Sequence, residues 1–186
     1  RSCDGTNWLW KWQEPTDRLD GSRGSAPTGR GPWAGLIGYA PVSTVVIEFP
    51  RAVYDEVVSR AYDGDEAEVC GVLSGARGDG DEPSVVERAH AAENVAETPR
   101  SRYRIDPEEL LELIDRIEDS GRDVVGFYHS HPAGPTRPSE TDAERATWPD
   151  RSYVICALDG HPFVGSWRWR ADEETFEQET VAVRDD

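Results

Sequence analysis

Residues 126–142, GFYHSHPAGPTRPSETD, set two histidines, a serine and an aspartate in the order H-x-H-x7-S-x2-D, as His129, His131, Ser139 and Asp142. The preceding VVGFY is β-branched and aromatic and reads as a buried strand with the histidines at its end. Alternate strand residues share a face, so His129 and His131 can converge on one metal ion. Asp142 offers a third, oxygen ligand from the following element. Two imidazoles and a carboxylate leave one tetrahedral position open for water, the pattern of a catalytic zinc site rather than a closed structural one. The chemistry this suggests is hydrolysis.

A plainer reading stands beside it. H-x-H alone often only caps a strand end, and Ser139 with Asp142 spells an S-x-x-D capping box for the helix ETDAERATW. The two readings of Ser139 are compatible. His90 and His161 fall in an expected strand and an expected turn and receive no role.

Water activated by a metal needs a proton acceptor that is not itself a ligand. Upstream, the strand EAEVCGVLSG opens on Glu68, with Glu66 as a nearby competitor. Glu68, Cys70, Gly71 and Leu73 form E-x-C-G-x-L, and with the later H-x-H-x7-S-x2-D the chain resembles the JAMM (MPN-plus) metalloproteases over roughly residues 44 to 183. The resemblance implies His129, His131 and Asp142 as zinc ligands and Glu68 as the general base. It implies Ser139 as the hydroxyl that stabilises an oxyanion. It also implies a mixed, mainly antiparallel α/β sheet packed between helices, with a cytidine-deaminase-like core. Iron and cobalt would suit the ligand types as well, though zinc suits them best.

The elements that must position these residues follow from pattern. TVVIEF reads as a strand and PRAVYDEVVSRAYD as a helix; EVCGVLSG and SVVERAHAAENVA form strands around the turn-rich ARGDGDEP. RYRID reads as a short strand. DPEELLELIDRIEDSG is a helix with Asp106 as cap, Pro107 in the first turn and Gly121 at its close. Its Leu110, Leu113, Ile114 and Ile117 make one apolar stripe, expected to face the core. DVVGFYHSH, ETDAERATW and SYVICAL continue the chain, and FVGSWRWRA with TFEQETVAV closes it as a hairpin. Trp148, Trp167 and Trp169 are expected to pack in the core or at a rim. An extended peptide tail is expected to reach the site by adding as a strand.

The net charge is −17, from 37 acidic and 20 basic side chains, and of the basic ones only Lys11 is a lysine. Acidic, lysine-poor composition suggests adaptation to a high-salt cytoplasm, where excess charge is screened. It argues against nucleic acid as a partner. Residues 1–43 differ: they carry a net charge of about +1, a Gly/Ser/Pro-rich middle and four of the seven tryptophans. They are expected to be a disordered tail or a mis-assigned start, with a catalytic domain over 44–186. Cys3, Cys70 and Cys156 form no C-x-x-C pair, and no apolar run approaches the length of a membrane span. A soluble, cytoplasmic protein with no membrane partner is expected; the oligomeric state is left open.

For function, the resemblance implies a zinc-dependent isopeptidase that removes a small ubiquitin-like modifier from a target lysine, cutting after the modifier's terminal glycine. Processing of a ubiquitin-like sulfur-carrier precursor is a close variant. A non-catalytic scaffold subunit is the alternative from another class, and it sits poorly with a full ligand set. A DNA-associated relative is opposed by the charge. A base deaminase would need H-x-E and C-x-x-C, which the chain lacks.

Overall fold

The computed structural model describes residues 45–79, 82–159 and 163–185. The expectations for residues 1–43 and for His161 lie outside the described residues. The elements are β1 (Val46–Pro50), α1 (Arg51–Asp63), β2 (Cys70–Ala76), β3 (Ser84–Ala92), α2 (Pro107–Asp119), β4 (Asp123–His131), α3 (Glu140–Arg145), β5 (Ser152–Ala157), β6 (Val164–Arg170) and β7 (Thr175–Arg184). The strands close into a barrel in the order β1-β3-β2-β4-β5-β6-β7. The pairs β2–β3, β2–β4, β5–β6 and β6–β7 are antiparallel, whereas β4–β5, β1–β3 and β1–β7 are parallel. The mixed, mainly antiparallel sheet is therefore present, and its ends meet.

Alternation along β2 splits the interior into two clusters. Leu73 packs with Ile47, Phe49, Tyr128 and Val154 under the buried Val53, Val57 and Ala61 of α1. Its neighbour Val72 packs with Phe127, Tyr153 and Trp169 under Leu113 and Ile117 of α2. Each fully buried aliphatic side chain contributes about 1.5–3 kcal/mol. The apolar stripe of α2 faces the core, with Leu110 and Ile114 packed against its edge. The helix starts where its cap dictates, because Asp106 Oδ1 accepts from the backbone of Glu108 and Glu109 at 2.9 and 3.3 Å.

Four strands supply a buried polar knot. Arg168 Nε donates to Glu179 Oε1 at 2.9 Å, and Arg168 Nη2 to Ser84 Oγ at 3.2 Å. Ser166 and Ser152 donate to the two Glu179 oxygens at 2.6 and 3.2 Å. Arg168 is 1% exposed and Glu179 3%, so this is an ion pair desolvated on all sides.

One expected strand is absent. Residues 102–106 are irregular, because their backbone bonds go to the side chain of Asn94 and to Val95 instead of to a ladder. The alternation of RYRID misled because the competing partner is supplied from another segment. β3 correspondingly stops at Ala92, and α3 stops at Arg145, short of Trp148.

Candidate metal centre

β4 carries both histidines at its C-terminal end, on the face that continues Phe127. A β-bulge lies upstream: Leu73 pairs with Gly126 and Ser74 with Val124, so Val125 is the extra residue. Beyond it the register is regular, and Cys70 stands opposite His129. Parallel pairing with β5 supports the other side, from Gly126–Ser152 to His131–Ala157.

His129 and His131 converge, with Nε2 atoms 3.0 Å apart. Asp142 Oδ1 lies 3.6 Å from His129 Nε2, and Oδ2 lies 4.0 Å from His131 Nε2. The ligand atoms of the three residues fall within 4.8 Å of one another, so the group could hold a metal ion. Protonation suits that task. His131 Nδ1 is 2.7 Å from Pro135 O; a carbonyl only accepts, so Nδ1 carries the hydrogen and Nε2 presents its lone pair inward. His129 is 1% exposed, and burial pushes it down to about 4, with Asp142 opposing and His131 adding to the fall. Two imidazole nitrogens and a carboxylate thus face one point, which a single proton satisfies in part and a divalent cation satisfies entirely.

Asp142 is aimed by the capping box of α3. Its Oδ2 accepts from Ser139 N and Ser139 Oγ, both at 2.7 Å, and Ser139 Oγ accepts from Asp142 N at 3.2 Å. The plain reading of this pair is realised, and the same bonds place the carboxylate beside the histidines. The intervening loop is tied down at three points. Pro135 O accepts a hydrogen bond from His131 Nδ1, Trp167 Nε1 donates to Thr136 O at 2.9 Å, and Gly134 N donates to Asp159 Oδ1 at 2.9 Å. A Cβ on Gly165 would lie 2.7 Å from Thr136 O, so only glycine lets the loop come this close to β6.

Glu68 lies two residues ahead of β2 instead of on it, and it is buried. Burial raises its carboxyl to about 8, and the charge of Asp142 adds to the rise. Glu66 points elsewhere: it is exposed and pairs with Arg100 at the surface. Gly71 of the same segment lies against β3 and Tyr128, where a Cβ would stand 2.1 Å from His90 O and 2.5 Å from the ring. The buried Cys70 and Cys156 have thiols pushed up by burial to about 12 and about 11, as inert core cysteines do. His90 bonds to Ser74 Oγ at 2.8 Å, away from the histidine pair.

Sequence pattern missed two participants. Tyr103 stacks on His129 with centroids 4.4 Å apart and planes 23° from parallel. Burial and then Asp142 hold its phenol well above the ordinary value. Asn94 holds the segment that carries it. Neither belongs to a spaced motif; the N-x-A turn around Asn94 was the available signal. The tryptophans serve packing: Trp148 meets Phe127, Trp169 meets Phe176, and Trp167 pins the loop.

A mixed sheet that presents an H-x-H strand end to a capped aspartate defines a JAB-type domain. The chain belongs to the prokaryotic homologs of the JAB domain, whose family model matches residues 50–171. It is 45% identical over 133 residues to the desampylase of Haloferax volcanii, covering 69% of this chain and 90% of that one. It is 32% identical over 140 residues to a probable TtuB-protein conjugate cleaving protease of Thermus thermophilus, covering 75% and 81%. A solution structure of a protein from Desulfitobacterium hafniense is similar, with TM-score 0.66, 30% identity and coverage of 76% of this chain and 94% of that one.

Proposed function

We propose that the protein is a zinc-dependent isopeptidase that hydrolyses the bond between the C-terminal glycine of a small ubiquitin-like modifier and a lysine of a target protein. The observation that carries this is the convergence of His129, His131 and Asp142 beside a buried glutamate. The desampylase and the conjugate-cleaving protease among its relatives support the substrate class. His129 Nε2, His131 Nε2 and the Asp142 carboxylate are the donors that would hold the ion. Zinc there would supply Lewis acidity and a water molecule acidic enough to react near neutral pH.

The remaining work falls to the chain. Glu68 accepts a proton from the attacking water and delivers it to the departing lysine amine, a task that suits a buried carboxyl close to the proposed metal site but outside its ligand set. Ser139 offers its hydroxyl to the developing oxyanion, turning from Asp142 as it does so. The Pro135 carbonyl keeps His131 in one tautomer throughout. The acidic, lysine-poor composition supports work in a high-salt cytoplasm. No helix among the described residues is long and apolar enough to cross a membrane.

The test is cleavage of a ubiquitin-like–lysine isopeptide conjugate in high salt by wild type, by Glu68→Ala and by wild type with a chelator, with a carrier precursor run alongside. Cleavage of the conjugate by untreated wild type alone is expected. Equal cleavage by Glu68→Ala would remove the base from the proposal, and cleavage in chelator would remove the metal.

A further inference from the structure

Asn94 uses its whole side-chain bonding capacity on backbone. Nδ2 donates to Glu68 O at 2.8 Å and to Arg102 O at 3.0 Å, while Oδ1 accepts from Ala96 N at 3.0 Å and Arg104 N at 3.1 Å. Both amide hydrogens and the carbonyl are engaged. The bonds join two stretches that no ladder connects. Pairing of β2 with β3 begins at Cys70 and Ala92, leaving Glu68 outside it. Glu68 is then held by two loop contacts, its own N–H to Pro99 O at 2.7 Å and its carbonyl to Asn94. Arg102 and Arg104, the other two partners, flank Tyr103, whose ring lies on His129.

We propose that Asn94 is a positioning residue that joins the Glu68 backbone and the Tyr103 segment into one unit, so that the carboxylate and the aromatic wall over His129 are set together. This rests on the reading of Glu68 as the base. The geometry favours coupling over mere loop stability, because three of the four bonds lead to the two site-bearing segments, at Glu68, Arg102 and Arg104, and only the bond from Ala96 N is local to the Asn94 turn. Asn94→Asp breaks the link between the two segments: it keeps an acceptor for Ala96 N and Arg104 N but replaces the Nδ2 donor by an oxygen that repels the carbonyls of both Glu68 and Arg102.

The experiment uses the full chain with Asn94→Asp, Asn94→Ala and, as a control on the same loop, Arg100→Ala. In the zinc-loaded protein acting on the isopeptide conjugate, Asn94→Asp should lower kcat about 10- to 100-fold with KM nearly unchanged, as expected for a misplaced reacting group. In the zinc-free protein, the His129 ring protons should lose the upfield shift imposed by the stacked Tyr103, read from histidine resonances. Arg100→Ala should leave both unchanged. Wild-type kcat in Asn94→Asp, or an unmoved His129 resonance, would overturn the inference. The resonance decides it even if wild type leaves the conjugate intact. Full activity in Glu68→Gln would instead overturn the base assignment and leave the resonance result standing.

Discussion

Val69 and Ser130 exchange two hydrogen bonds. The Val69 N–H donates to Ser130 Oγ at 2.9 Å, and the Ser130 N–H donates to Val69 O at 2.9 Å. One residue follows Glu68 and the other separates the two histidines, so this double bond sets the spacing between the glutamate and the histidine pair. Ser130→Ala leaves the Val69 N–H without its acceptor, at a cost of about 1–3 kcal/mol. A lower denaturant midpoint and a lower kcat are expected together, and unchanged values of both would show that the strand pairing alone sets the spacing.

Asp142→Asn separates the cap from the charge. An asparagine oxygen can still accept from Ser139 N and Oγ, so α3 should persist in circular dichroism and in the melting midpoint. The negative charge of the proposed ligand is gone. Even outer partners of metal ligands are worth about 10- to 100-fold in affinity, so losing a ligand should cost at least that much. Metal competition titrations check it.

The metal-free protein should lose stability as pH rises, because of Glu68. Its carboxyl is raised to about 8 from an ordinary 4.5, by burial first and Asp142 second. Between those values the folded state keeps a proton that the unfolded chain has released. The stabilising contribution is complete below pH 4.5 and is lost as pH passes about 8, by up to a few kcal/mol at roughly 1.4 per pKa unit. Glu68→Gln, always neutral, should flatten that slope in urea melts at successive pH values. An identical slope in the variant would place the titration elsewhere.

Arg168→Met strips the buried Glu179 of its counter-ion. Breaking one side of such a pair costs about 3–5 kcal/mol, because the remaining charge stays desolvated. Arg168→Met with Glu179→Leu should recover most of that loss. Turnover per folded molecule should not change in either, since the serines bonded to the pair, Ser84, Ser152 and Ser166, lie outside the five proposed site residues. Paired melting and activity measurements decide it.

What could be read from the sequence was whatever is local. H-x-H on a β-branched strand, S-x-x-D at a helix start and Asp106 before Pro107 each encode their geometry within a few residues, and all three took the expected form. Glu68 was singled out because metal-activated water needs a proton acceptor, and its burial separates it from Glu66. The segment whose Tyr103 stacks on His129 is bonded on both sides of that residue to Asn94, just past the end of β3, and no local pattern records such a reach. The barrel was equally hidden, since alternation marks strands and says nothing of which two outer strands meet. Closure also limits where an extended tail can add as a strand, because β4 and β5 already have neighbours on both sides.

The seam between β1 and β7 sets an order of events in folding. Val46 lies opposite Thr180 and Pro50 opposite Arg184, so the first described strand waits for the last before its ladder exists. On a ribosome, β2 to β5, with every residue of the candidate site, emerge before that seam can form. The histidines can therefore meet Asp142 in a sheet that is still open, and pairings so distant in the chain are the slow ones. A nascent chain captured before β7 should already bind metal, with the seam as the final, rate-limiting act of assembly.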